Sequence, residues 1–226
     1  MNFTSIHRAG VLAVTLLTMA GCSTVGDMSR SALGYAAPAA VGDPRYAAFK
    51  DDGRALPAIP AAHLTEENQR QIVDFKGPEA PGTIVVDPAA HFLYLVEADG
   101  KAMRYRVGVG KAGFAFAGNA TVARKAEWPG WTPTPNMLKR EPERFGPYAG
   151  GVEGGLGNPL GARALYLYRG GRDTYYRIHG TNEPSTIGRS VSSGCIRMFN
   201  QDVIDLENRV PVGAEVVVRN APPPLA

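Results

Sequence analysis

His179 and Cys195 stand sixteen residues apart, and between them they have the makings of a nucleophile and its base. A thiol of ordinary acidity is only a few per cent ionised at neutral pH, so a cysteine that attacks a carbonyl needs a base or a positive neighbour. His179, at the end of a predicted strand, supplies both if the intervening loop returns the chain to the same edge of the sheet. Gly194 next to the thiol permits unusual backbone angles and keeps a side chain out of the path of a substrate. The amides of Gly194 and Cys195 are then candidates for an oxyanion hole, in which one donor is typically worth roughly 3 to 4 kcal/mol of transition-state stabilisation. Arg197 lies two residues after Cys195, so strand geometry puts both side chains on one face. It reads either as a clamp on a substrate carboxylate or as an internal ion pair that holds the loop. Asn200 reads as the N-cap of a helix over 201–209, whose Val203, Ile204 and Leu206 share one side.

The chain has two cysteines, and the other one, Cys22, directly follows an N-terminal export signal over residues 1–21. His7 and Arg8 form a short basic region ahead of an apolar stretch over 9–20 that ends in small residues. That stretch is too short to span a bilayer as an ordinary helix. Met19-Ala20-Gly21-Cys22 resembles the lipobox of bacterial lipoproteins, in which the cysteine is acylated, and by the same resemblance Ser23 after it favours the outer membrane; the alternative is a simple secretory peptide in which Cys22 is lost or incidental. Once the signal is removed, Cys195 is the one thiol left to react and no internal disulfide can form. In an oxidising compartment an unpaired cysteine suggests a reactive role, the alternative being a small buried hydrophobe.

The length of 226 residues allows one domain of ordinary size with extensions, and 44% hydrophobic content is enough to bury a core. From residue 23 to about 60 the chain is rich in Ala, Gly and Pro without hydrophobic period, which suits a flexible tether with a span of roughly 30 to 40 Å. The stretch 64–75 suits a short helix opened by Thr65 or an extended segment, and the two readings stay open. From Pro81 onward, β-branched and aromatic runs between turn signals predict strands over 83–86, 91–97, 102–107, 121–127, 164–168, 175–179 and 215–219. These elements must bring His179 and Cys195 together, and they predict a mainly β fold: an antiparallel sandwich or open barrel with one or two short helices. The Pro- and Gly-rich stretch 128–161 is long for a connection, which marks it as a candidate binding loop.

Other signals weigh little. The net charge of +3 comes from mixed signs without Lys/Arg clusters, so no nucleic-acid partner is expected. Gly108-Val109-Gly110-Lys111-Ala112-Gly113 matches a dinucleotide fingerprint, but strand-like residues follow where a helix is required, so it reads as a hairpin loop. His63, His91 and His179 are widely separated, so no metal is expected, and His91 reads as a sheet residue. Trp128 and Trp131 suit packing of their proline-rich loop better than a sugar platform.

His179-Gly180, followed by Ser192-Ser193-Gly194-Cys195-Ile196-Arg197-Met198-Phe199-Asn200, resembles the L,D-transpeptidase catalytic domain, or YkuD family. The likeness runs over about 82–219 and includes Gly157-Asn158-Pro159-Leu160-Gly161. Together with the N-terminal readings above, which lie outside it, the likeness gives a signal peptide (1–21), a lipidated N-terminus and tether (22–80), a catalytic domain (81–220) and a tail (221–226). The resemblance implies a cysteine acyltransferase acting on peptidoglycan stem peptides without metal or organic cofactor. Cys195 is the implied nucleophile, His179 its base, and Gly180 the residue whose carbonyl orients the imidazole. Ser192, Ser193 and Arg197 are implied at the substrate. The implied acceptor is an amine of a second stem, giving a 3→3 cross-link, an outer-membrane protein, or a free D-amino acid. Water as acceptor gives a carboxypeptidase, and a silent wall-binding lipoprotein is the non-enzymatic alternative. The implied location is the periplasm, with membrane contact only through the lipid on Cys22.

Overall fold

Strands form where β-branched and aromatic residues alternate between turn residues, and the turns show why. Asp99 and Gly100 both adopt positive φ, 57° and 66°, as the central pair of a tight hairpin turn needs. The computed structural model describes residues 42–110, 117–192 and 194–219. The expectations for the signal peptide, Cys22, the tether up to residue 41, residues 111–113, Ser193 and the tail therefore lie outside the described residues.

Among the described residues there are thirteen strands. They are β1 (Phe49–Asp51), β2 (Arg54–Leu56), β3 (Gln71–Asp74), β4 (Ile84–Asp87), β5 (Phe92–Val96), β6 (Lys101–Arg106) and β7 (Val109–Gly110). Then come β8 (Gly118–Glu127), β9 (Arg163–Arg169), β10 (Arg172–His179), β11 (Ser190–Ser192), β12 (Ile196–Arg197) and β13 (Glu215–Val218). Nine of them make one sheet in the order β12-β10-β9-β8-β13-β4-β5-β6-β3, while β1–β2 and β7–β11 are separate pairs. Pairing within the large sheet is antiparallel except for β10–β12 and β13–β4, so the expected mainly β, mostly antiparallel fold is what forms.

The sheet curls on itself. Met103 and Tyr105 near one end share a single buried cluster with Ile178, Ile196 and Met198 at the other. Gly108, just beyond β6, and Arg197 in β12 exchange both backbone hydrogen bonds, at 2.8 and 2.9 Å. The core is completed by a helix over Asn200–Arg209, here α3, whose Val203 and Leu206 are fully buried. Two further short helices, α1 (Pro135–Arg140) and α2 (Pro142–Phe145), lie in the stretch read as loop. Each begins with proline at its first position, where the missing N–H costs nothing, and Thr134 caps α1 by accepting from Met137 N. Among the described residues no helix is long and apolar enough to cross a membrane.

Residues 42–80 correct the tether reading, because they pack on the domain. Tyr46 is 1% exposed and meets Phe199 edge to face, and Leu56 packs against Trp128 and Ala162. Thr65 caps a 3-10 turn over Glu66–Asn68, and β3 then adds to the edge of the large sheet beside β6. Both readings of 64–75 are thus met in part. The physical reason for the miss is that single large anchors dock one at a time between Ala/Pro stretches, which leaves no period to detect.

The glycine-rich 108–110 segment is also corrected. It does not make a hairpin, since β6 and β8 are not neighbours; β7 pairs instead, in parallel, with β11.

Candidate active site

Register places the candidate residues. In the parallel pair β10–β12, Ile178 lies opposite Ile196 and His179 opposite Arg197. Both isoleucines are buried in the core. Side chains alternate along a strand, so Arg177, His179, Cys195 and Arg197 face the other way. All four line one cleft of about 1070 Å³. The loop between His179 and Cys195 is long enough for the crossover that a parallel pair demands.

His179 is 4% exposed, and its Nδ1 lies 2.6 Å from the carbonyl oxygen of Gly180. A carbonyl only accepts, so the proton is on Nδ1 and the lone pair of the neutral ring is on Nε2. Burial pushes the imidazole down to about 3, and the positive charges of Arg197 and Arg177 push the same way, against the Gly180 hydrogen bond. Cys195 is half-buried, and desolvation lifts its thiol above the ordinary range despite an opposing backbone hydrogen bond and charge from Arg177. Burial thus favours the neutral form of each group, the thiol and the imidazole.

The backbone around the thiol depends on glycine. Gly194 has φ 132°, a region side chains disfavour, and a β-carbon on Gly110 would stand 2.7 Å from the Gly194 Cα. Gly110, within the false dinucleotide match, thus allows close backbone approach to the thiol loop. Arg197 donates to Glu183 at 3.0 Å while lining the cleft, so its ion pair and its place at the cleft coexist. Ser192 ends β11.

Asn200 is corrected. The cap position of α3 belongs to Phe199, and Asn200 is already helical. Its Oδ1 accepts from Ala162 N (2.9 Å) and Thr181 N (3.2 Å), and its Nδ2 donates to Thr181 O (2.9 Å). It joins the helix to the start of β9 and to the turn after His179. A β-carbon on Gly161 or Gly180 would collide with that oxygen.

The 128–161 stretch forms a wall of the cleft. Trp131 stacks near Phe145 and Tyr148 and packs on Leu160 and Tyr166, while Trp128 is 6% exposed and structural. Asn158 ties the far end of the wall, donating to the carbonyls of Val152 and Glu153 and accepting from Leu160 N. His91 lies in a turn with φ 57° and its Nε2 is 2.9 Å from Ser190 Oγ, away from the cleft residues just named. Among the described residues no cluster of three metal-ligating side chains occurs.

Sequence reasoning missed Tyr175. It sits in a bulge of β10, at φ 61°, with its ring 68% exposed at the cleft. Asp173 holds the bulge, accepting from Tyr175 N (2.8 Å) and from both terminal nitrogens of Arg177 (2.7 Å each). The Cys195 thiol makes a long contact of 3.9 Å to the Tyr175 carbonyl. Asp173 two residues before a strand-end aromatic was the available signal, since Asp side chains bond backbone two residues on.

A family model described as the L,D-transpeptidase catalytic domain (YkuD) matches residues 81–218. The chain belongs to this family. The probable L,D-transpeptidase ErfK/SrfK of Escherichia coli K12 is 39% identical over 142 residues, which are 62% of this chain and 44% of that protein. The putative L,D-transpeptidase YkuD of Bacillus subtilis 168 is 50% identical over 62 residues, covering 27% of this chain and 35% of that one. The chain thus spans less than half the length of these relatives. A solved Brucella melitensis structure, described as a probable carnitine operon oxidoreductase, is 53% identical and covers 69% of this chain and 96% of its own, with a TM-score of 0.48.

Proposed function

We propose that this L,D-transpeptidase family member is a cysteine acyltransferase that acts on peptidoglycan stem tetrapeptides. The observation that carries this reading is the β10–β12 register, which puts His179 and Cys195 on one face of one cleft. As the Cys195 sulfur attacks the carbonyl at the L centre of the diamino acid, His179 Nε2 takes the thiol proton. Collapse of the tetrahedral intermediate breaks the bond to the terminal D-Ala, and the imidazolium returns its proton to the leaving amine. The amides of Gly194 and Cys195 are the candidate oxyanion donors. Because both resting groups are neutral, the proton moves during attack, and the base is needed in the chemical step itself.

An acceptor amine then attacks the thioester, His179 removes its proton, and the new amide forms with the thiol restored. Four arginines, Arg140, Arg144, Arg177 and Arg197, line the cleft, each also paired with a protein carboxylate of Glu141, Asp173 or Glu183, and their shared sign suits a donor peptide bearing carboxylates. The acceptor in this reading is an amine of a second stem or of an outer-membrane protein. The N-terminal signal supports export, with Cys22 lipidated and the protein held at the outer membrane facing the wall.

Intact-protein mass spectrometry with a disaccharide-tetrapeptide tests the donor step. Wild type gains an acyl adduct that lacks D-Ala, and Cys195→Ala does not; a dimeric product identifies a stem as acceptor, and a shortened free peptide identifies water. A folded wild-type protein with neither adduct nor turnover would sink the reading.

A further inference from the structure

The hairpin β1–β2 precedes the family-matched residues 81–218 yet grips the root of the cleft wall. Asp52 and Gly53 take φ of 47° and 74°, the two-residue turn that aligns short strands, and so present Asp51, Arg54 and Leu56 to one tryptophan. Asp51 Oδ2 accepts from Trp128 Nε1 at 2.7 Å, the Arg54 guanidinium stands 5.3 Å from the Trp128 ring centre, and Leu56 packs alongside. The same Asp51 carboxylate takes both terminal nitrogens of Arg163, at 2.7 and 2.8 Å.

Trp128 and Arg163 flank the wall: one immediately precedes residues 129–161 and the other follows them with only Ala162 between. Trp128 N also donates to Ala162 O at 2.8 Å, which closes the loop at its base. Trp128 is held at φ 39°, a strained value for a side-chain-bearing residue, and a β-carbon on Gly154 would collide with its carbonyl. The wall supplies about three-fifths of the cleft-lining residues from one continuous segment. A strained root with a charged clamp is what a loop needs if its position sets binding.

We propose that Asp51 is a positioning residue for the substrate: by tying Trp128 to Arg163 it fixes both ends of the 129–161 wall, so that the N-terminal hairpin belongs to the working enzyme. This rests on the reading of the cleft as the donor-peptide site. Asp51 does not touch the thiol or the imidazole, so its loss acts on binding and leaves the reactivity of Cys195 alone. Glu127 and Glu207 lie 3.5 and 3.7 Å from Arg163 and keep the guanidinium partly paired when Asp51 is changed, which lets the variant fold.

The test compares full-length wild type, Asp51→Asn, and Trp128→Phe, which removes the indole N–H and keeps an aromatic side chain there. Hydrogen exchange is read over 129–161 and over β4–β5, together with kcat and KM for a disaccharide-tetrapeptide and the rate of Cys195 alkylation by iodoacetamide. In both variants we expect exchange over 129–161 to rise about tenfold with β4–β5 unchanged, KM to rise about tenfold, and alkylation to stay within about twofold. Unchanged wall exchange and KM would overturn the proposal, as would wall and core exchange rising together. If wild type turns over no tetrapeptide, the substrate reading fails, while wall exchange still reports whether Asp51 ties the loop.

Discussion

The side-chain oxygen of Asn200 occupies the space that a β-carbon on Gly180 would need. That contact explains two residue choices at once: Asn200 satisfies buried amides on both sides of the turn, and Gly180 lets it approach. The Gly180 carbonyl in turn holds His179 Nδ1. Asn200→Ala leaves the buried Ala162 and Thr181 amides without their acceptor, at a cost of about 2 to 4 kcal/mol in chemical denaturation. Gly180→Ala displaces the carbonyl and should lower acylation at least about tenfold even at temperatures where the variant stays folded. Normal acylation by folded Gly180→Ala would show that the Gly180 peptide does not orient the imidazole.

Cys195→Ala should abolish acyl-adduct formation. His179→Gln should slow it by roughly 10²- to 10⁴-fold, the usual contribution of a positioned base. Single-turnover mass spectrometry reads both, and a His179→Gln variant acylating at the wild-type rate would remove the imidazole from the mechanism.

The neutral pair has a signature in pH. With its thiol lifted by burial, Cys195 should react with iodoacetamide ever faster up to at least about pH 9, without the low-pH plateau of a thiolate–imidazolium pair. A plateau near pH 6 would contradict the neutral resting state. His179 also links stability to pH. Its value falls from 6.5 in the unfolded chain to about 3 in the fold, so between those values the unfolded chain binds a proton that the native state does not. This contribution is complete above 6.5 and is lost as pH falls towards 3, reaching at most about 5 kcal/mol. His179→Gln should flatten that part of the stability profile, measured by denaturant titration at several pH values.

Tyr175 separates strain from recognition. Tyr175→Gly relieves the positive φ and should hold or raise stability by about 1 kcal/mol, whereas Tyr175→Ala keeps the strained backbone. Both lose the exposed ring at the cleft and should raise donor KM. Equal KM in all three proteins would leave the ring without a role at the substrate.

Much of this architecture was legible in sequence because its signals are local. The seven expected strands all form, and the Ser192–Asn200 run marks the thiol loop. The hairpin β1–β2 escaped notice although Asp52-Gly53 is a strong turn signal, since its strands are three residues each and sit in Ala- and Pro-rich sequence. The helices α1 and α2 were hidden for a related reason: their prolines read as loop, although Thr134-Pro135 is also how a helix begins. The role of Asn200 was out of reach, because its partners lie 38 and 19 residues away and only the folded turn brings them together.

The exchange of backbone hydrogen bonds between Gly108 and Arg197 has a consequence for substrate handedness. Many proteins hold a peptide by letting it join a sheet as an extra strand, a grip that reads main-chain groups in an all-L register. Here Arg197, two residues past the thiol, already has its N–H and carbonyl occupied by Gly108, so that stretch of β12 has no vacant ladder to offer. A peptide at the thiol therefore gains no added-strand hydrogen bonds from Arg197. A chain that alternates L and D residues, which cannot keep that all-L register, loses nothing by the absence of a ladder at this position.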